Sequence, residues 1–76
     1  MPTKSTAERI AANVRAEAAR RQVTQAALAA HLGLTQPGMS RRMLGRVPFS
    51  AAELVSVTEL LGTSLDDLTE CVEAAS

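Results

Sequence analysis

The amino-acid sequence predicts an all-α fold, a compact bundle of five short helices. Apolar residues make up 46% of the 76 positions, but Phe49 is the only aromatic residue. The core must therefore be aliphatic and rich in alanine, which suits closely packed helices better than a sheet. Helix-capping patterns recur along the chain. No stretch of useful length shows the apolar–polar alternation that is typical of a half-buried strand.

The first helix is predicted over residues 6–21, behind a polar tail (residues 1–5) that we expect to be flexible. Its start matches a capping box, in which the Glu8 amide donates to the Ser5 hydroxyl and the Ser5 amide donates to the Glu8 carboxylate. Apolar residues then recur at every fourth position, which predicts one buried stripe. This stripe contains Ile10, Val14 and Ala18.

The second and third helices are predicted over residues 25–32 and 36–44. Thr24 and Thr35 are the expected N-caps. Gly33 can adopt the left-handed conformation that ends a helix at least cost. The first turn of the third helix tolerates Pro37, because the missing amide has no partner there in any case. Its inward face is expected to consist of Met39 and Met43.

The last two helices follow from the same kinds of signal. Ser50 and Glu53 have the spacing of a second capping box, and Gly62 is expected to end the helix that they begin. Ser64 precedes the fifth helix, whose first turn carries two aspartates that interact favourably with the helix dipole. We expect all five helices to form one domain over residues 6–73.

Two Thr-Gln pairs, at 24–25 and 35–36, lie eleven residues apart with Gly33 between them. Two helices of about two turns joined by a glycine-centred turn form a helix-turn-helix unit, here residues 24–45. Ala29 must be small, because the next helix crosses close over it. Each glutamine lies at a helix N-terminus, where its side chain can meet a phosphate or a base edge.

Charge is strongly segregated along a chain whose formal net charge is zero. All eight basic residues lie before position 47 and only two acids oppose them there, so residues 1–46 carry a net charge of +6. Residues 47–76 hold six acids and no base, a net charge of −6. This asymmetry indicates that one end of the domain faces a polyanion. Chance segregation in a small domain is the alternative.

The combined pattern resembles the Cro/C1 repressor-type helix-turn-helix family of phage and bacterial regulators. The resemblance covers roughly residues 8–70 and is carried by Thr24-Gln25-Ala26-Ala27-Leu28-Ala29, Gly33-Leu34-Thr35-Gln36, Met39-Ser40-Arg41 and Leu61-Gly62-Thr63-Ser64-Leu65-Asp66-Asp67-Leu68. It implies a lambda-repressor-like bundle whose third helix enters the major groove of DNA. The sequence departs from the family at Arg42, which stands where a buried apolar residue is usual. Met43 is expected to take over that packing.

The resemblance also implies which side chains contact DNA. In the family, base contacts come from the first residues of the recognition helix and from those one turn later, here Gln36, Pro37, Ser40 and Arg41. The helical positions agree, since these residues point outward when the two methionines point inward. Phosphate contacts are expected from Gln25, Thr35, Arg42, Arg46 and Arg21. For Arg21 a merely solvated side chain is an equal alternative.

The expected function is sequence-specific binding of double-stranded DNA by a transcription regulator of the phage or bacterial repressor or Cro type, acting in the cytoplasm at the nucleoid. The alternative is a protein-interaction module on the same fold, an antitoxin or adaptor with little DNA binding. A weak homodimer, completed on operator DNA, is expected through an apolar patch. This patch comprises Leu65, Leu68 and Val72.

The sequence gives no indication of an enzyme, a cofactor, a metal site or a small-molecule ligand. It has neither a glycine-rich phosphate loop nor a nucleophile motif. His31 is the only histidine and has no cluster of partner ligands. The single Cys71 cannot form an internal disulfide and fits a reducing compartment. No apolar run approaches the ~20 residues of a membrane span, so no membrane partner is expected.

Overall fold

The computed structural model describes residues 5–74, with side chains described up to residue 69. Over these residues it is all-helical, which confirms the predicted fold class. The five helices are α1 (Thr6–Arg20), α2 (Gln25–Leu32), α3 (Gln36–Met43), α4 (Ala51–Leu61) and α5 (Leu65–Ala74). The first and third end one residue earlier than predicted. Residues 1–4 of the predicted tail lie outside the described residues.

The predicted N-caps are all present. In α1 the Glu8 amide donates to Ser5 Oγ at 3.1 Å and the Ser5 amide donates to Glu8 Oε1 at 2.8 Å. The corresponding reciprocal bonds at the start of α4 join Ser50 and Glu53. The threonine hydroxyls at the starts of α2 and α3 each accept a backbone amide at 3.1 Å. Local sequence thus fixes where these four helices begin.

Each of the first four helices is followed by a residue in the left-handed conformation. Three of these residues are glycines, with φ of 71° at Gly33, 77° at Gly45 and 68° at Gly62. The fourth is Gln22, with φ of 59°. After α2, the Leu34 amide donates to the Ala29 carbonyl at 2.9 Å, a bond that is typical of a Schellman ending. The left-handed residues reverse the chain tightly, so the short helices pack on one another.

The core is aliphatic and lies around α1, which packs against α3, α4 and α5. Both methionines of α3 belong to it, as predicted: Met39 is fully buried and Met43 is 7% exposed. The buried apolar residues are Ala11, Val14, Ala18, Leu28, Ala29, Met39, Met43, Val57, Leu61 and Leu68. Among the described residues, no helix is long and apolar enough to cross a membrane.

The structure corrects the predicted dimer patch. Leu68 is fully buried where α5 packs against α1, and its backbone carbonyl accepts a hydrogen bond from the Asn13 side chain at 2.6 Å. A side chain enclosed in this way cannot contact a second protein copy. Leu65 remains 45% exposed, and the side chain of Val72 lies outside the described residues.

Candidate nucleic-acid interface

The outer face of α3 is exposed and its inner face is buried. Gln36, Pro37 and Arg41 are exposed, and Ser40 is half-buried beside them. The cap at Thr35 and the proline in the first turn fix the start of this helix. The structure thus brings the four predicted base-contacting residues onto one accessible surface.

A hydrogen bond joins this surface to the start of α2. The Gln25 side-chain amide donates to Ser40 Oγ at 2.8 Å. The bond holds Gln25, predicted to contact phosphate, beside the outer face of α3. Because the Ser40 oxygen accepts this bond, its hydroxyl proton can be donated to another group.

Arg42 does not lie on the outer face. Its Nε donates to Glu53 Oε1 at 3.0 Å, its Nη1 donates to the Gly38 carbonyl at 3.0 Å, and only 20% of its side chain is exposed. This corrects the expectation of a phosphate contact, since the guanidinium is directed along α3 and toward α4. It also explains how a cation occupies a position that is usually apolar, while Met43 fills the core as expected.

The carboxylate of Glu53 is charged at neutral pH. Burial acts to raise its pKa, but hydrogen bonds from the Ser50 backbone amide and from Arg42, together with the charge of Arg42, outweigh burial and lower the pKa below its usual value. Arg42 and Glu53 therefore form a charged pair whose side chains are each about four-fifths enclosed.

Arg21 is exposed but forms an ion pair with an acid of its own helix. Its Nε lies 3.1 Å from Glu17 Oε1, and Arg20 Nη1 lies 2.6 Å from the other oxygen of that carboxylate. The Glu17 side chain is only 11% exposed. Arg21 also lies close enough to Asp67 to contribute to the lowering of the Asp67 pKa, after the larger effect of a hydrogen bond from Thr63. Arg21 therefore has an acidic partner within the protein, and its predicted phosphate contact stays a prediction.

Arg41 and Arg46 are the exposed cations of the α3 region. Over the described residues, neither guanidinium makes a hydrogen bond or an ion pair. The Arg46 amide donates to the Arg41 carbonyl at 2.9 Å, so the turn after α3 brings the two residues back together. The +6 of the N-terminal half includes the charge of Arg42, which is paired with Glu53 of the acidic half, so slightly less than this charge is available to a partner.

Two further contacts fix the end of α3, and the sequence analysis identified neither. The Arg15 guanidinium donates to the Met43 carbonyl. At Gly45 the chain passes so close to α1 that a Cβ atom would lie 2.6 Å from the Glu8 Cα atom. Only glycine fits this position, both for its φ and for space. Gly45 follows the last predicted residue of the third helix, but the local sequence gives no sign of this approach to α1.

Among the side chains that the structure describes, residues 5–69, no three histidine, cysteine, aspartate or glutamate side chains are grouped so that they could hold a metal ion. A protein-family model described as a helix-turn-helix domain matches residues 5–70, from the α1 N-cap into α5. No curated protein and no solved structure matches the chain.

Proposed function

The chain belongs to the helix-turn-helix domain family, and from this premise we propose that it binds double-stranded DNA sequence-specifically and regulates transcription. The observation that carries the proposal is the accessible outer face of α3, which presents the unpaired guanidinium of Arg41 beside exposed Gln36. A helix of this width fits the major groove, where each base pair presents a distinct set of donors and acceptors. The family is typically non-enzymatic.

Three polar residues are the proposed base readers. Arg41 can donate two parallel bonds to O6 and N7 of guanine, and Gln36 can pair with N6 and N7 of adenine. Ser40 supplies a hydroxyl proton for a base acceptor, since its oxygen already accepts from Gln25. Pro37 completes the surface with an apolar contact to a thymine methyl group.

Phosphate contacts are proposed for Gln25, Thr35 and Arg46, which surround that face. The Thr35 oxygen accepts the Gly38 amide, which leaves the hydroxyl proton for a phosphate oxygen. Arg46 follows the Gly45 turn and is exposed. Such contacts fix the register of the protein on the duplex without selecting a sequence.

A Cro-type or repressor-type regulator acting at the bacterial nucleoid is the finer form of this proposal. Two copies on a palindromic operator would place their recognition helices one DNA turn apart, roughly 34 Å. Because Leu68 is buried, the surface available for self-association around α5 is smaller than the sequence predicts, which favours pairing that is completed on DNA. Sedimentation of the free protein and of the saturated complex measures this, and one protomer per operator would rule out the dimer.

Selection of bound sequences from random duplex DNA tests the function itself. We expect enrichment of a half-site or a palindrome, and loss of preference at one base pair for Arg41→Ala. Arg20→Ala is the matched control, because it removes an arginine that is paired with Glu17. If the folded wild-type protein enriches no sequence, the DNA proposal gives way to the interaction module on the same fold.

A further inference from the structure

One carboxylate oxygen connects α3 to α4. Glu53 Oε1 accepts the Ser50 amide at 2.9 Å, which closes the capping box of α4, and it also accepts Arg42 Nε at 3.0 Å. Arg42 Nη1 then donates back to the Gly38 carbonyl in the first turn of α3. A continuous set of hydrogen bonds therefore runs from the start of α3 to the start of α4.

We propose that Arg42 is a positioning residue: through Glu53 it sets the rotation of α3 about its own axis and so aims the base-reading side chains. This inference rests on the proposed function. A guanidinium is planar and its donors have fixed directions, so bonds to two partners determine its orientation. Rotation of α3 would break at least one of these bonds and leave an enclosed charge unpaired.

The residues around Arg42 leave room for its side chain to lie along α3. Gly38 is buried, and a Cβ atom there would lie 3.1 Å from Thr35 Oγ1 and 3.7 Å from Arg42 Nη1. A Cβ atom at this position would crowd the helix cap at Thr35 and would be in ordinary contact with the guanidinium. The first turn of α3 thus leaves Arg42 room to lie against it.

Glu53→Gln separates positioning from phosphate binding, because the two roles predict opposite signs. If Arg42 were a phosphate ligand restrained by Glu53, removal of the carboxylate charge would tighten binding to every duplex. If Arg42 positions α3, the variant should lose discrimination between cognate and scrambled duplexes by about tenfold, the order of one base pair's contribution. Fluorescence anisotropy with both duplexes measures the ratio. Glu59→Gln is the matched control, since Glu59 is exposed on the same helix.

Arg42→Lys provides the second arm. Lysine keeps the positive charge but cannot hold two partners in a fixed plane. We expect the cognate-to-scrambled ratio to fall while the slope of log affinity against log salt stays unchanged. Near-wild-type discrimination in this variant would overturn the inference, and so would a reduced slope, which indicates that one phosphate fewer is neutralised.

A DNA-independent measurement distinguishes failure of this inference from failure of the proposed function. In free protein, Glu53→Gln should shift the amide resonances of α3, residues 36–43, whereas Glu59→Gln should leave them in place. Unshifted α3 resonances would overturn the positioning role even if DNA binding is established. A wild-type protein that prefers no duplex would instead refute the DNA-binding proposal, while shifted resonances would still support the coupling of α3 to Glu53.

Discussion

Two ends of the molecule each contain a pair of consecutive arginines and a glycine in the left-handed conformation. The recognition end comprises Arg41, Arg42, Gly45 and Arg46 around the last turn of α3. The ion-pair end comprises Glu17, Arg20, Arg21, Gly62 and Asp67, where α1 ends and α5 begins. Their environments differ in almost every respect.

At the ion-pair end both arginines reach the same carboxylate. Glu17 lies three and four residues before them on one helix, the spacing at which side chains meet. At the recognition end the arginines separate: Arg42 turns inward to Glu53, and Arg41 stays exposed without a protein partner among the described residues. An arginine at these helix ends is thus paired where an acid lies within reach, on its own helix or on a neighbouring one.

The two glycines differ in a similar way. A Cβ atom at Gly62 would have open space around it, with the flexible Arg21 guanidinium 4.0 Å away. A Cβ atom at Gly45 would instead lie 2.6 Å from the Glu8 Cα atom. The two glycines therefore share a backbone conformation but differ in the space around them. Gly45, the crowded one, lies where the turn after α3 meets α1.

The largest expected difference between the ends is in stability. Gly45→Ala should lower the free energy of unfolding by about 3 kcal/mol, because left-handed strain adds to a clash with backbone that cannot move aside. Gly62→Ala carries the strain alone and should cost about 1 kcal/mol. Chemical denaturation of both variants measures the difference, and equal costs would show that the approach to Glu8 relaxes freely.

The next contrast concerns affinity for DNA. Arg41→Ala should weaken cognate binding by about 1–3 kcal/mol and relax preference at one base pair. Arg20→Ala removes the same charge from the ion-pair end and should change affinity by only a few tenths of a kcal/mol, as for a surface position. Titration of cognate and scrambled duplexes decides this. A uniform loss for Arg41→Ala would mean that Arg41 does not read bases.

A smaller effect is expected for Arg46, one of the proposed phosphate contacts. Arg46→Ala should weaken all duplexes about equally and reduce the salt slope by roughly 0.9 for each phosphate that the variant no longer neutralises. Arg21→Ala is its counterpart at the ion-pair end and should leave the slope unchanged. Titrations at several salt concentrations test both, and an altered slope for Arg21→Ala would place that end on DNA as well.

The smallest contrast is in pH dependence. The pKa of Glu53 is lowered in the folded protein from an ordinary value of 4.5. The charged carboxylate therefore stabilises the fold fully above pH 4.5, and this stabilisation is lost as the pH falls through the lower pKa of the folded state. Stability below pH 4.5 should therefore fall less steeply in Glu53→Gln than in the wild type. Asp67→Asn should flatten the curve less, because Asp67 is exposed. The urea concentration at the midpoint of unfolding, measured from about pH 3 to 7, tests this ranking of the two variants. A flatter curve for Asp67→Asn than for Glu53→Gln would contradict it.

The helix starts and most helix ends could be predicted because they depend on residues within one turn. Ser5 with Glu8, or Thr35 before Pro37, determines a cap without information from the rest of the chain. The left-handed Gln22 could not be predicted in this way, since a glutamine rarely signals a helix end. The outward face of α3 also followed from local periodicity.

The site could be predicted only in part, because several of its contacts join residues that are distant in sequence. The Arg42–Glu53 pair joins two helices, and the approach of Gly45 to Glu8 joins the turn after α3 to the first helix, so neither leaves a local pattern. Leu68 has the spacing of an apolar helix face, but the spacing does not say whether a neighbour covers it. The Glu17–Arg21 pair is different, because an acid and a base four residues apart on one helix lie within reach of each other. This ion pair could have been predicted from the sequence.

The packing of α1 against α5 has a consequence for the order of events during synthesis. α1 leaves the ribosome before α5, so the Asn13 amide gains its partner only when Leu68 follows, 55 residues later. Until then the side of α1 that packs against α5 is uncovered. The helix-turn-helix unit, although local in sequence, therefore gains its supporting helix and its final stability only when the last helix has been made.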